Sequence, residues 1–281
     1  MKYIYYNPLS AKGKAKKSAY KVYKKFKKEE IKIIKIKTIN DFDDIIFKLR
    51  EDDSLILVGG DGAIHYLANA LQNVDFKFKI FLYKAGTGND FARGHKKRFF
   101  EITDEIKNLP YVIYYNNLDS NINYKKEYFI NGMGTGIDSL VCKTQNDEAM
   151  KNKSYFKIAK LAFKVFKKFS IDLEVDGNNY HYDDVWFCAV QNGKYFGGGM
   201  KIAPKAKRED DILDIYIIHA PKFKKIILAF PLIFIGKHVW IKKNVSSHFG
   251  KNIIIKTNDY NLLQIDGEAR NFEGDIIIKR Y

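Results

Sequence analysis

Two textures of apolar patterning divide the chain. Over residues 1 to about 115, apolar runs of strand length alternate with segments whose apolar positions recur every three or four residues, as strands alternating with amphipathic helices would. Lys2 to Tyr6 reads as a strand, and Ala15, Ala19, Val22 and Phe26 then mark one face of a lysine-rich helix. Ile31 to Lys37 predicts a second strand and Asp41 to Arg50 a helix. The run from Ser54 to Val58 stops at Gly59-Gly-Asp-Gly62, after which Ile64, Leu67, Ala68 and Leu71 recur at i, i+3, i+4 and i+7. Lys79 to Tyr83 is a further strand. Beyond residue 118 the apolar runs shorten: Ile171 to Val175, Val185 to Val190, Leu213 to Ile218, Asn252 to Lys256 and Asp275 to Lys279 read as strands of a β-rich region. Tyr128 to Asp138 reads as a strand entering a loop with three alternating glycines, followed by a basic helix over 147–169.

This pattern predicts an α/β protein of two domains, residues 1–118 and 119–281, with a C-terminal tail free to return to the first domain. In α/β folds ligands sit beyond the carboxyl ends of the parallel strands, and here those ends carry the glycines and polar residues. They are Asn7-Pro-Leu-Ser10, Gly59-Gly-Asp-Gly62 and Gly86-Thr-Gly-Asn89. A strand, a glycine-rich turn and a helix N-terminus together aim backbone N–H groups at an anion. A tight turn without a ligand has the same sequence, so Gly59 to Gly62 alone leaves both readings open. Neither GxxxxGK[ST] nor GxGxxG occurs, which leaves a Walker loop and a dinucleotide fingerprint unsupported.

Composition narrows the class. At 281 residues and 46% apolar, the chain can bury real cores, and two isolated cysteines suit a reducing cytosol better than a disulfide framework or zinc site. No secretory leader pattern opens the sequence, and Ile226 to Ile235 is too short to span a bilayer, so a soluble cytoplasmic protein is expected. Forty-nine Lys and Arg against 33 Asp and Glu give a net charge of +16, which favours an anionic membrane surface or another polyanion, or serves solubility alone. No nucleic-acid recognition motif is visible. His65 and His238 lack partners at metal-ligand spacing and read as packed or surface residues.

Six motifs, taken in order, resemble the diacylglycerol kinase catalytic family, which is related to sphingosine and ceramide kinases. They are Asn7-Pro-Leu-Ser10, Gly59-Gly-Asp-Gly62, Gly86-Thr-Gly-Asn-Asp-Phe-Ala-Arg93, Gly132-Met-Gly-Thr-Gly-Ile-Asp138, Asn192 to Pro204 with its Tyr-Phe-Gly-Gly-Gly-Met, and Ile265-Asp-Gly-Glu268. The resemblance spans almost the whole chain. It implies an enzyme that binds ATP and Mg²⁺ in a cleft between the two domains and transfers the γ-phosphoryl group to a lipid hydroxyl, most simply that of diacylglycerol at an anionic membrane surface. Cytoplasmic residence with transient membrane association goes with that reading, and a homodimer is compatible with it.

The same resemblance assigns residues. Asn7, Pro8, Ser10, Thr38, Gly59, Gly60, Asp61, Gly62, Ala63, Thr87 and Asn89 would contact the nucleotide. Glu268 is the implied proton acceptor, with Asp266 facing the same cleft and Asp138 and Asp61 as supporting acids working through metal-bound water. In Lys207-Arg-Glu-Asp-Asp-Ile-Leu-Asp214 the family pattern implies a structural Mg²⁺ held by Lys207, Asp210 and Ile212, the first and last through carbonyl oxygens. Two departures stand out. Asp211 replaces a glycine of that loop and Glu209 an aspartate, and Ala63 stands where relatives often carry threonine, removing one possible phosphate hydrogen bond. A NAD kinase shares the Gly-Gly-Asp-Gly signal, but Gly-Gly-Gly-Met and Asp-Gly-Glu argue against it. A non-catalytic lipid- or nucleotide-binding protein of the same fold is the alternative of another class.

Overall fold

The computed structural model describes residues 1–8, 13–36, 46, 48–86, 89–116, 123–147, 150, 155–219 and 230–280. The chain forms two compact units, Met1–Leu109 and Pro110–Tyr281. The division falls earlier than residue 118 because Tyr111–Asn116, patterned like the preceding strands, pairs within the second unit.

The first unit is a five-stranded sheet of β1 (Lys2–Tyr6), β2 (Ile31–Lys35), β3 (Ser54–Gly59), β4 (Lys79–Lys84) and β5 (Phe99–Glu101), in the order β2-β1-β3-β4-β5. The first four are parallel and β5 is antiparallel to β4. Helix α1 (Ala15–Phe26) buries Ala15, Ala19 and Val22 with Ile4, Tyr6, Ile56 and Val58 of the sheet, and its lysines stay exposed. Helix α2 (Asp61–Ala70) buries Ile64, Leu67 and Ala68, as its spacing predicts. A short α3 (Thr103–Lys107) closes the unit. The expected helix at 41–50 lies mostly outside the described residues.

The second unit is dominated by an 11-stranded, largely antiparallel sheet. Its strands are β6 (Tyr111–Asn116), β7 (Asn123–Tyr128), β8 (Gly132–Gly136), β9 (Phe169–Val175), β10 (Asn178–Gln191), β11 (Leu213–His219), β12 (Val245–Gly250), β13 (Asn252–Asn258), β14 (Leu262–Ile265), β15 (Glu268–Asn271) and β16 (Glu273–Lys279). The main path runs β15-β14-β8-β10-β9-β13-β16-β6-β7, with β11 and β12 branching from β10. Strand β16 pairs with β13 and β6, so the chain end through Lys279 stays in this unit instead of returning to the first. Two buried clusters form its core, one around Ile171, Val190, Ile215 and Ile253 and the other around Ile137, Trp186, Phe196 and Ile233.

The glycine run 132–136 is a strand and not a loop. A side chain at Gly136, where φ is +124°, would place Cβ 2.4 Å from the Trp186 carbonyl oxygen, so the alternating glycines let β8 lie close against its neighbours. Helix α4 (Ile137–Asn146) follows β8 in a stretch where no helix was expected, and α5 (Tyr155–Val165) falls within the basic helix expected over 147–169. Among the described residues no helix is long and apolar enough to cross a membrane.

Candidate functional site

In the first unit, parallel register sets the site. Tyr6 pairs with Val58, and Val58 with Tyr83, so the chain leaves β1, β3 and β4 at one edge of the sheet. Asn7 and Pro8, the Gly59–Gly62 turn, and Ala85 and Gly86 therefore follow the same edge. Gly59 is required by packing: a Cβ there would sit 2.5 Å from Ala63 Cβ, where α2 begins. The Ala63 N–H is turned back onto the Gly60 carbonyl at 3.0 Å.

The Asp61 carboxylate spans two loops. Its Oδ2 accepts the Asp90 N–H at 2.8 Å and its Oδ1 the Phe91 N–H at 3.0 Å. Both oxygens thus accept backbone amides, and Asp61 ties the two glycine-rich loops together. Its partners lie 29 and 30 residues away, a pairing that no local pattern announces. Asn89 Nδ2 donates to the Gly86 carbonyl at 2.6 Å and tightens the second loop. Ser10, Thr38 and Thr87 lie outside the described residues.

The second unit repeats the device. Asp266 adopts φ +49° between β14 and β15, and its carboxylate accepts the N–H groups of Ile130 at 2.8 Å, Asn131 at 2.8 Å and Gly132 at 3.2 Å. Its own N–H donates to the Gly132 carbonyl at 3.0 Å. Asp266 is thereby a clasp holding the entrance of β8 against the Asp-Gly-Glu turn, in place of the second acid of a pair. Gln264 fixes the same turn by accepting the Gly267 N–H at 2.8 Å. Glu268 follows on β15, its side chain 42% exposed, with its Oε2 3.9 Å from Arg270 Nη1.

Asp138, in the first turn of α4, is different. Both carboxylate oxygens are buried without a hydrogen-bond partner. Burial pushes its pKa to about 7; the Ser139 amide and the Gln264 side chain pull the other way from outside hydrogen-bond geometry. Space for this carboxylate comes from Gly134, where a Cβ would lie 2.3 Å from Asp138 Oδ2. Asp138 and Gln145 border a cavity of about 290 Å³ whose lining is otherwise largely apolar, with Ile137, Phe163, Trp186, Phe196 and Met200 among its walls, and which is reached also by Gly267. The Gly197–Gly199 turn supplies two of these: Phe196 and Met200 exchange backbone hydrogen bonds at 3.0 Å, which brings both side chains to the wall. The glycine motif of that turn is readable in the sequence. Trp186 and Phe163 carry no comparable signal.

The acidic loop is tied into its surroundings by hydrogen bonds and charge pairs. Asp210 Oδ1 accepts the Ile212 N–H at 3.3 Å, and Asp211 meets Lys251 at 3.5 Å. Arg280 donates to the Arg208 carbonyl at 2.6 Å, and the charges of Asp211, Asp210 and Glu209 act on its buried guanidinium. Among the described residues no group of three or more His, Cys, Asp or Glu is placed to hold a metal. Lys207, Asp210 and Ile212 lie in this loop, where Lys251 and Arg280 offset part of its negative charge. Asp214, which follows the loop, is pushed up to about 6 by burial and by the charge of Asp210. His65 is buried on α2, and His238 is buried with Nε2 3.1 Å from the Ile202 carbonyl, as packed histidines are.

An α/β unit with glycine loops at its parallel strand ends, joined to a β-rich unit with an acid-bordered apolar cavity, is the architecture of the diacylglycerol kinase-like enzymes. Residues 2–109 match the diacylglycerol kinase catalytic domain, and residues 131–274 the YegS C-terminal NAD kinase beta sandwich-like domain. The chain belongs to the YegS and diacylglycerol kinase-like family of lipid kinases. It is similar to YtlR of Bacillus subtilis (strain 168), with 30% identity over 76% of this chain and 73% of that protein. It is also similar to a diacylglycerol kinase of Mycobacterium tuberculosis, with 28% identity over 75% of this chain and 69% of that one. The crystal structure of a diacylglycerol kinase from Bacillus anthracis str. Sterne shares the fold, with a TM-score of 0.68, 22% identity, and coverage of 99% of this chain and 94% of that one.

Proposed function

We propose that this protein transfers the γ-phosphoryl group of ATP to a lipid hydroxyl, with diacylglycerol as acceptor and phosphatidic acid as product. The observation that carries this reading is the apolar cavity bordered by both Asp138 and the Gly267 of Asp-Gly-Glu. An aliphatic chain suits its wall, and its volume lies near the lower end of small-molecule sites, about 300 Å³. A nucleotide acceptor such as NAD would leave that wall unused.

Phosphoryl transfer asks for positioned phosphates, neutralised charge and a base beside the attacking hydroxyl. The backbone N–H groups around Asn7, Gly60 to Gly62 and Asn89 bind and orient the phosphates, with Asp61 holding the last two loops in register. Ser10, Thr38 and Thr87 are assigned to the same nucleotide by family pattern. Magnesium accompanying ATP supplies charge neutralisation on the phosphates. Glu268, partly exposed at the start of β15, takes the hydroxyl proton. Asp138, without a partner of its own, accepts a hydrogen bond from the polar end of the acceptor lipid. The excess of positive charge favours action at an anionic membrane surface.

Incubation with γ-labelled ATP, Mg²⁺ and mixed micelles containing diacylglycerol, ceramide or sphingosine, with soluble NAD in a parallel reaction, tests the proposal. Labelled phosphatidic acid is the expected product; the absence of label from every lipid overturns it.

A further inference from the structure

The sheet of the second unit begins at β15 and ends at β7, the two termini of its main path. One ion pair joins these ends. Arg270 on β15 donates from Nε to Glu127 Oε1 at 3.0 Å and from Nη2 to Glu127 Oε2 at 3.2 Å, across 143 residues of sequence. The Tyr114 hydroxyl of β6 also donates to Glu127. This forked pairing fixes the guanidinium plane.

The third nitrogen of that plane faces the other way along β15. Arg270 Nη1 donates to the Ala269 carbonyl at 3.0 Å and lies 3.9 Å from Glu268 Oε2. Residues 268 and 270 share a face because strand side chains alternate. A distance of 3.9 Å is ion-pair contact and too long for a hydrogen bond, so the carboxylate is attracted toward one orientation while its lone pairs stay open to a hydroxyl proton. At 42% exposure of Glu268 such a contact adds little stability; its effect is on direction.

We propose that Arg270 is a positioning residue for phosphoryl transfer: held by Glu127 and Tyr114, it aims the Glu268 carboxylate at the acceptor hydroxyl. The inference rests on Glu268 being the base, as proposed above. Glu127 then has a second role, since it takes the bidentate edge of the guanidinium and keeps Arg270 from closing onto Glu268.

The test measures lipid phosphorylation by Arg270→Gln, Arg270→Lys, Glu127→Gln and Glu268→Gln, and by the Arg270→Gln/Glu268→Gln double variant, each confirmed as folded by circular dichroism and its urea midpoint. Arg270→Gln should lower kcat about tenfold, with KM for ATP and lipid unchanged, as a misaimed base does. Arg270→Lys should recover part of kcat, because it keeps the charge without the fork. Glu127→Gln should lower kcat as Arg270→Gln does, by releasing the guanidinium. In the Glu268→Gln background the loss of Arg270 should cost nothing further, since its effect passes through that carboxylate. A folded Arg270→Gln with normal kcat, or the same tenfold loss in both backgrounds, overturns the positioning role while leaving Glu268 as base. Full activity of Glu268→Gln removes the base assignment and the positioning role with it.

Discussion

Asp61 in the first unit and Asp266 in the second occupy similar glycine-rich turns, and each gives its carboxylate to backbone amides: two at Asp90 and Phe91, three at Ile130 to Gly132. Asp138 sits in the first turn of the helix that follows another glycine run, yet both of its oxygens are buried without a partner. The difference teaches how to read acids in such motifs. An aspartate whose oxygens are filled by N–H groups is part of the scaffold, whereas one held dry and unpaired keeps its hydrogen-bonding capacity unused and is costly to keep ionised.

Substitution separates the two kinds. Asp266→Ala orphans three part-buried amides and should cost the most, about 4 kcal/mol at roughly 1–3 kcal/mol per unsatisfied group, read as a lower urea midpoint. Asp61→Ala orphans two and should cost about 2 kcal/mol, with a several-fold weaker affinity for ATP in calorimetry. A loss below about 0.5 kcal/mol in either would remove the scaffold role.

Asp138→Asn should act in the opposite direction. Burial raises the folded carboxyl to about 7, against 3.8 for a solvated aspartate, so between these pH values the folded state holds a proton that the unfolded state has lost. Stability therefore falls as pH rises through that window, and the full penalty is present above about pH 7. Asn removes it: thermal unfolding at pH 8 should show a gain on the order of 2 kcal/mol that shrinks toward pH 4. A gain independent of pH would show that the Asp138 carboxylate is not the cause. Lys251→Ala, which removes only the exposed contact to Asp211, marks the small end of the scale at less than about 0.5 kcal/mol.

Much of this was legible in the chain itself. Period-3.6 and strand-length patterning finds α1, α2, β1, β3 and β4, because each buries a single face or a continuous apolar run against its own unit. Family motifs locate the turns at Gly59 to Gly62 and Asp266 to Glu268. Other features depend on distant partners. β8 reads as a loop because its glycines matter for close approach to β10, and α4 goes unread because its buried apolar face, Ile137 and Val141, is short. β14 and β15 have only four residues each, and β12, Val-Ser-Ser-His-Phe-Gly, carries no apolar run to announce it. The roles of Asp61 and Asp266 depend on amides far along the chain, and the Arg270–Glu127 pair joins the two ends of a sheet path whose order no local signal encodes.

The most direct test of the account fills the cavity beside Asp138. Ala159 lines that cavity, and Ala159→Phe places a ring where the acceptor chain is proposed to lie. With labelled ATP and diacylglycerol vesicles, the variant should lose about tenfold or more in lipid phosphorylation while binding ATP as the unmodified protein does. Undiminished transfer to diacylglycerol by a folded Ala159→Phe protein would contradict the assignment of the cavity to the lipid.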